Sequence, residues 1–439
     1  MSEDAEVRLW GRTIGAVSLD PGQAAAIFQY DPAFARSGIE VSPLMMPLRT
    51  EPYVFPELSH KSFKGLPGLL ADSLPDRWGN ALINAWLARH GRTPESANAV
   101  ERLCYTGKRG MGALEFAPVK GPDPAATDVR LGELVELASE ILSQRDGFES
   151  SLAPGQEEEG LLEILSVGMS AGGARAKAVI AWNPETGEVK SGQVPAGEGF
   201  EHWLLKFDGV GDRSRESFNG PEGFGAIEYA YSLMAQAAGI EMSPCTLFHE
   251  NGRRHFMTRR FDRPEPDSKL HMQSLAAIRH FDFNLAGANS YEQALITIRQ
   301  LGLSIAAVEE QFRRMTFNVV ARNQDDHVKN IAFLMDRSGK WRLSPAFDVS
   351  YAYAPEGVWT SQHQMSLNGK RSEFAVEDFV QCAEAVSMKR GRAIAILEEV
   401  CGAISEWPAF ADAAEVGEAD AARIAQTHRL DLRQVRSRA

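Results

Sequence analysis

The 439-residue chain is 44% hydrophobic and 24% charged, an ordinary globular composition with length for two or three domains and a large core. Its 59 acidic against 46 basic residues leave a formal net charge of -13, which argues against a surface that holds nucleic acid chiefly by neutralising phosphates; a local basic patch remains open. Cys104, Cys245, Cys382 and Cys401 are scattered without CxxC spacing, so neither zinc site nor disulfide framework is indicated, and reduced, buried thiols are expected.

The N-terminus "MSEDAEVRLW" is acidic where a signal peptide would be basic and then apolar, and no run of about 18 apolar residues occurs, so a cytoplasmic protein without a membrane partner is expected. "VRLWGRTIGAVSLD" reads as two short strands around a Gly11-Arg12 turn, and "AAAIFQYD" as a third, with turns at Pro43, Pro47, Pro52 and Pro56. In "LPDRWGNALINAWLARHG" the spacing of Leu82, Ala85, Trp86 and Arg89 becomes helical, with Gly91 as a C-cap. "VKGPDPAATD" reads as a linker, residues 131–142 as a helix, and "GQEEEG" as an acidic loop. "AKAVIAWNPETGEVKSGQV" predicts a hairpin turning at Asn183 to Gly187, and "HWLLKFDG" a further strand. Beyond Leu275 almost every segment has helical periodicity. The expected organisation is α+β: a β-rich region over 1–120, a second strand-rich region over 121–268, and a helical region over 269–439.

Four pieces carry chemistry. "SVGMSAGGARAKAVI" places Gly168, Gly172 and Gly173 ahead of a strand, either a plain glycine turn or a loop whose N-H groups cradle phosphate. Lys206 interrupts an apolar strand; a phosphate or Glu228 would serve as its partner, unless its stem simply carries the ammonium to water. In "RNQDDHVKN" the neighbouring Asp325 and Asp326 should point in different directions, so no shared-proton dyad is implied. A carboxylate followed five positions later by an amide, with Lys329 between, offers a base, a cation and a metal-binding oxygen; a helix cap or solvated turn is the plainer reading. Finally, "IAFLMDRSGKWRLSP" predicts a hairpin turning at Gly339 that brings Asn330 and Asp348 to its base, oxygen donors suited to Mg²⁺, although Asp348 alone equally suits a helix N-cap. Glycine loop, strand lysine, Asp...Lys-Asn loop, hairpin and Asp, in that order, make an ATP-dependent phosphotransferase the leading reading.

"SAGGARAKA", "LLKFDG", "RRFDRP", "NQDDHVKN" and "LSPAFDVS" resemble, in the same order, the HipA-family serine/threonine kinases, toxins of HipBA-type toxin-antitoxin modules. "RLWGRTIGAVSLD" and "GLLADSLPDRWGNALI" are similar to the small domain preceding the kinase core in that family, so the resemblance covers nearly the whole chain. It implies a two-lobed, distantly kinase-like fold with an all-helical C-terminal lobe. Carried over, Asp325 is the catalytic base, with His327 and Lys329 in its loop, and Asn330 and Asp348 bind Mg²⁺. Gly172, Gly173, Ala174 and Arg175 cradle phosphate and Lys206 contacts the ATP phosphates. Phe261 and Asp262 offer backbone groups to adenine, and Ser170 matches the autophosphorylated serine, whose phosphate would repel nucleotide from the loop. Family toxins phosphorylate aminoacyl-tRNA synthetases, and DNA binding would come from a separate HipB-like antitoxin with a helix-turn-helix.

The chain departs from the pattern. Asp326 stands where better-known members tend to have glycine, adding a charge expected beside the transferring phosphoryl; "HMQSLA" lacks an acidic pair, and Arg175-Ala176 replaces glutamine and an acid. Trp10 and Trp78 are candidates for a partner surface or for the core. Two rivals remain: a metal hydrolase built on Asp325, Asp326 and His327, and a catalytically silent nucleotide-binding scaffold that acts as corepressor for the antitoxin.

Overall fold

The computed structural model describes residues 3–120, 134–135, 138, 164, 175–193, 197–210, 223–265 and 268–432. The chain is α+β and divides into two compact units: Met1–Arg215 with Phe248–Gln273 and Leu334–Lys340, and Glu216–Leu247 with Ser274–Phe333 and Trp341–Ala439. Among the described residues, no helix is long and apolar enough to cross a membrane.

The first unit opens with strands β1 (Glu3–Leu9) and β2 (Arg12–Leu19), antiparallel and joined at Trp10 and Gly11, whose φ values of 51° and 78° give the left-handed geometry of a tight hairpin. Ala5, Val7 and Leu9 alternate inward along β1, as a sheet with one packed face requires. With β3 (Ile27–Tyr30) and β4 (Leu114–Ala117) the order is β3-β2-β1-β4. The expected helix runs from Arg77 to Arg89; Asp76 Oδ1 accepts the Gly79 N-H at 2.8 Å, and Gly91 follows its end at φ 67°.

A second sheet runs β6-β5-β7-β9-β8, with β5 (Lys177–Trp182), β6 (Val189–Ser191), β7 (Glu201–Lys206), β8 (Cys245–Glu250) and β9 (Arg253–Arg259). The β5-β6 turn lies where the sequence predicts it: Gly187 N donates to Asn183 O at 2.8 Å, and Asn183 Oδ1 accepts from Glu185 N at 3.0 Å. Trp78 belongs to the core rather than to a partner surface. It is fully buried against Leu205, Ile180 and Met257, and its indole N-H donates to the Lys177 carbonyl at 2.9 Å. Trp10 is half-buried and donates to the Lys269 carbonyl at 2.7 Å. Lys177, also buried, is neutralised by Asp76 Oδ2 at 2.9 Å, so one aspartate caps the helix and ties it to the sheet.

The second unit is mainly helical. Its axis is the helix Ile305–Val320, whose Val308, Phe312, Met315 and Val319 are buried at three- and four-residue spacing, as the apolar pattern requires. Tyr291–Gln300 begins on a capping box of Ser290 and Gln293. The expectation of an all-helical C-terminal part fails between Arg322 and Phe374, where the chain forms strands Ala332–Met335 and Trp341–Leu343, one short 3-10 turn and loops. Arg322, Asp348, Asn368 and Glu373 take positive φ there, and Pro345 and Pro355 lack the N-H that a continuing helix needs.

Candidate catalytic and metal-binding site

The segment from Arg322 to Asn330 starts where the helix Ile305–Val320 ends. Tyr231, buried beside Trp407 and Phe317, donates its hydroxyl to the Ala321 carbonyl at 2.6 Å. Arg322 then turns the chain at φ 62°, with its Nε donating to Thr427 O at 2.7 Å and its guanidinium 4.4 Å from the Tyr353 ring centroid. Gln324 N donates to Ala352 O at 3.0 Å and Ala352 N to Arg322 O at 3.1 Å, so the backbone leading to the aspartates is clamped on a neighbouring strand-like segment.

Asp325 and Asp326 do point apart, and burial separates their work. The Asp325 side chain is 44% exposed; its Oδ1 accepts the Trp359 indole N-H at 2.5 Å and stands 3.8 Å from His327 Nε2. Asn330 Nδ2 donates back to the Asp325 carbonyl at 2.9 Å across the short 3-10 turn Val328–Asn330. With the amide nitrogen committed, the oxygen of Asn330 is the atom this side chain presents to a cation. Lys329 Nζ lies 4.6 Å from the Phe283 ring centroid, and the same ring lies 6.3 Å from His327.

Asp326 faces the interior rather than solvent. Its side chain is fully buried and receives the Tyr291 hydroxyl at 2.5 Å, His363 Nδ1 at 2.7 Å and the Gln364 N-H at 2.7 Å. Burial pushes its carboxyl up, but the His363 ring, the Tyr291 hydroxyl and the Gln364 N-H outweigh this and hold it below the usual carboxylate range. Burial in turn pushes the His363 imidazole down. Arg429 Nη1 lies 2.9 Å from His363 Nε2 and can only donate, so the assigned tautomer is neutral, with its proton on Nδ1 facing Asp326. The extra charge that the sequence adds beside Asp325 is a buried, hydrogen-bonded anchor. Asp326→Leu should therefore cost about 3 kcal/mol or more in urea unfolding, since three donors lose their acceptor. Parent-like stability would show that the anchor is dispensable.

The predicted hairpin exists. Gly339 takes φ 84° at its turn, Asp336 N donates to Lys340 O at 3.2 Å, and Ser344 N donates to Ala332 O at 2.9 Å, closing it shortly after Asn330 and shortly before Asp348. Asp348 caps no helix; it sits in a loop at φ 57°, a conformation that aspartate tolerates better than most residues. Among the described residues no three His, Cys, Asp or Glu side chains form a metal-ligand group. With Asp326 turned inward, the hydrolase constellation of Asp325, Asp326 and His327 is not assembled. The hairpin places Asn330 just before its first strand and Asp348 shortly after its second, an amide and a carboxylate whose oxygens are of the kind that hard cations prefer.

The remaining candidates lie in the first unit or outside the described residues. Ser170, Gly172, Gly173 and Ala174, like most of the helix expected over 131–142, are outside; Arg175 is half-buried just ahead of β5. Lys206 ends β7 opposite Lys177 and Phe256, its Nζ 5.7 Å from the Phe256 ring centroid, while Glu228 is a buried residue of the second unit. Asp262 is a structural hub: its carboxylate is fully buried between Arg260 at 2.8 Å and Arg263 at 2.7 Å and accepts Gly112 N at 2.7 Å, and its carbonyl accepts Leu270 N at 3.0 Å. Phe261, beside it, is half-buried.

Residues 5–117 match the family described as HipA N-terminal domain, and residues 169–407 match the HipA-like C-terminal domain. The chain belongs to the HipA family. No curated protein matches it. It is similar to the HipA of Shewanella oneidensis MR-1, solved as a complex of HipA, HipB and operator DNA, with a TM-score of 0.67 and 16% identity over 98% of this chain and 95% of that one. At that identity the likeness speaks for the fold. Similarity to the Helicobacter pylori proinflammatory kinase CtkA, with a TM-score of 0.35 and 13% identity over 54% of this chain and 90% of that one, is too slight to bear on it. In this HipA-family chain the sequence signalled Asp325, Asn330 and Asp348 by their spacing; Tyr291, Trp359, His363, Gln364 and Arg429 carried no such signal.

Proposed function

We propose that this HipA-family protein is an ATP-dependent serine/threonine kinase and the toxin of a toxin-antitoxin module. The observation that carries the proposal is the division of labour in the loop: one half-exposed carboxylate at Asp325, on a backbone clamped before and after it, with Asn330 tied to the same turn. Asp325 accepts the proton of the acceptor hydroxyl as that oxygen bonds to the γ-phosphorus of ATP and the bond from phosphorus to the β,γ-bridging oxygen breaks, releasing ADP. Asn330 and Asp348 are the residues that would hold Mg²⁺, which supplies charge neutralisation for the phosphates when bound. Lys206 and the loop of Gly172, Gly173, Ala174 and Arg175 serve the phosphates, Lys329 and His327 add positive or polar character beside Asp325, and Phe261 with Asp262 borders the adenine. Ser170 is the autophosphorylation site in this reading.

An aminoacyl-tRNA synthetase as substrate rests on the family resemblance. A HipB-like antitoxin as partner is supported by the complex of the Shewanella HipA, and DNA contact through that partner agrees with the formal net charge of -13.

Intact mass and phosphopeptide mapping after incubation with Mg²⁺ and ATP, beside Asp325→Asn purified identically, test the proposal. Expected is one added phosphoryl group on Ser170, with the rate in the variant reduced on the order of 10²- to 10⁴-fold. Protein shown to be unphosphorylated at the outset that binds ATP yet gains no mass, and labels no synthetase, would instead be the silent scaffold.

A further inference from the structure

We propose that Trp359 is a positioning residue that holds the Asp325 carboxylate with Oδ2 directed to the acceptor hydroxyl, and that Asp326 serves the reaction by anchoring the segment that delivers this indole. The inference rests on the kinase reading and deepens it.

An aspartate that is 44% exposed on a loop samples several side-chain rotamers, and a proton acceptor gains from losing that freedom before the substrate arrives. The indole N-H is a donor only, so its contact with Asp325 Oδ1 at 2.5 Å has one possible direction. The His327 approach at 3.8 Å falls on the same oxygen, which assigns proton acceptance to Oδ2. Trp359 is itself only half-buried, so its placement needs more than packing.

That placement traces back to the second aspartate. Gln364 donates its backbone N-H to Asp326 Oδ1 at 2.7 Å, and its side-chain amide donates to the carbonyls of Trp359 and, at 3.2 Å, Gln362. The Gln364 carbonyl accepts Gly287 N at 2.8 Å, and His363, held between Asp326 and Arg429, fixes the preceding residue. The buried carboxylate thus holds residues 363 and 364, Gln364 holds the Trp359 backbone, and Trp359 returns to the exposed carboxylate. The two adjacent aspartates form one device, in which Asp326 never touches the reacting atoms.

Trp359→Phe keeps the ring and removes the donor. In the full-length protein, kcat for phosphoryl transfer is expected to fall about 10- to 100-fold, with KM for ATP and thermal midpoint close to parent. In protein with ¹⁵N-labelled indoles, the Nε1-H resonance of Trp359, assigned by its loss in Trp359→Phe, should sit downfield and move upfield in Asp325→Ala. Unchanged kcat in Trp359→Phe, or an indole resonance indifferent to Asp325→Ala, overturns the proposal; should Trp359→Phe fold poorly, Trp359→Leu, which also removes the donor, supplies both the assignment and the rate. Transfer that persists in Asp325→Asn refutes the base assignment itself and takes the proposal with it, an outcome separable from failure of Trp359 alone.

Discussion

Lowering the pH from 7.5 to 5 is expected to cost this protein a few kcal/mol of stability, chiefly through His255 and His271, which are fully buried in the neutral form, with His280 and His428 only partly buried. Burial pushes His255, His271, His280 and His428 each down to about 4. Their contacts agree with neutrality: His255 Nδ1 accepts the Asp208 N-H at 2.9 Å, an arrangement that a proton on that nitrogen would abolish, and His271 Nε2 faces the Val41 carbonyl at 3.0 Å. In the unfolded chain these rings titrate near 6.5. Folded values below unfolded ones mean that the unfolded state takes up protons first. The stability is therefore fully present above about pH 6.5 and is lost as pH falls toward about 4. Each ring contributes a slope of up to about 1.4 kcal/mol per pH unit in that window. Urea midpoints at pH 7.5, 6.5, 5.5 and 5 would record it. His271→Gln, which keeps a donor for Val41, should flatten the curve by one proton; a midpoint that does not move with pH would contradict neutral burial of His255 and His271.

Removing the carboxylate of Asp262 is expected to destabilise the first unit by about 3 to 5 kcal/mol, because two buried guanidinium groups lose their counter-ion. The Arg260 and Arg263 side chains are 2% and 7% exposed around an Asp262 side chain that is 0% exposed. Arg263 is already pushed down to about 10 by burial and by Arg260, against the pull of Asp262. The carboxyl itself resists burial: Arg260, Arg263 and the Gly112 N-H hold it well below the usual range, so its contribution is present above the ordinary carboxylate value and fades only as pH falls below it. Asp262→Ala in urea unfolding should show the loss, whereas the half-exposed Asp325→Asn should stay within about 0.5 kcal/mol of parent. A loss of less than about 1 kcal/mol in Asp262→Ala would mean that the arginines find other partners or leave the interior.

Contacts close in sequence were legible. The β1-β2 hairpin, the Asn183–Gly187 turn, the capped helix Arg77–Arg89 and the turn at Gly339 follow from turn residues, caps and periodicity that act within a few positions. The same holds for the tie between Asn330 and Asp325, five residues apart. Residues 322 to 374 were harder to read, because their irregular backbone is held by partners distant in the chain rather than by a repeating pattern.

By itself the sequence determined the order of lysine, aspartate, asparagine and aspartate along the chain, and the separation of Asp325 from Asp326 onto different directions. Tertiary structure alone decided what surrounds each aspartate. Trp359 reaches Asp325 across 34 positions, Tyr291 and His363 reach Asp326 across 35 and 37, Arg429 reaches His363 across 66, and Gly112 reaches Asp262 across 150. A carboxylate's work follows from whether water or buried donors surround it, and no local pattern encodes which distant segment will supply those donors.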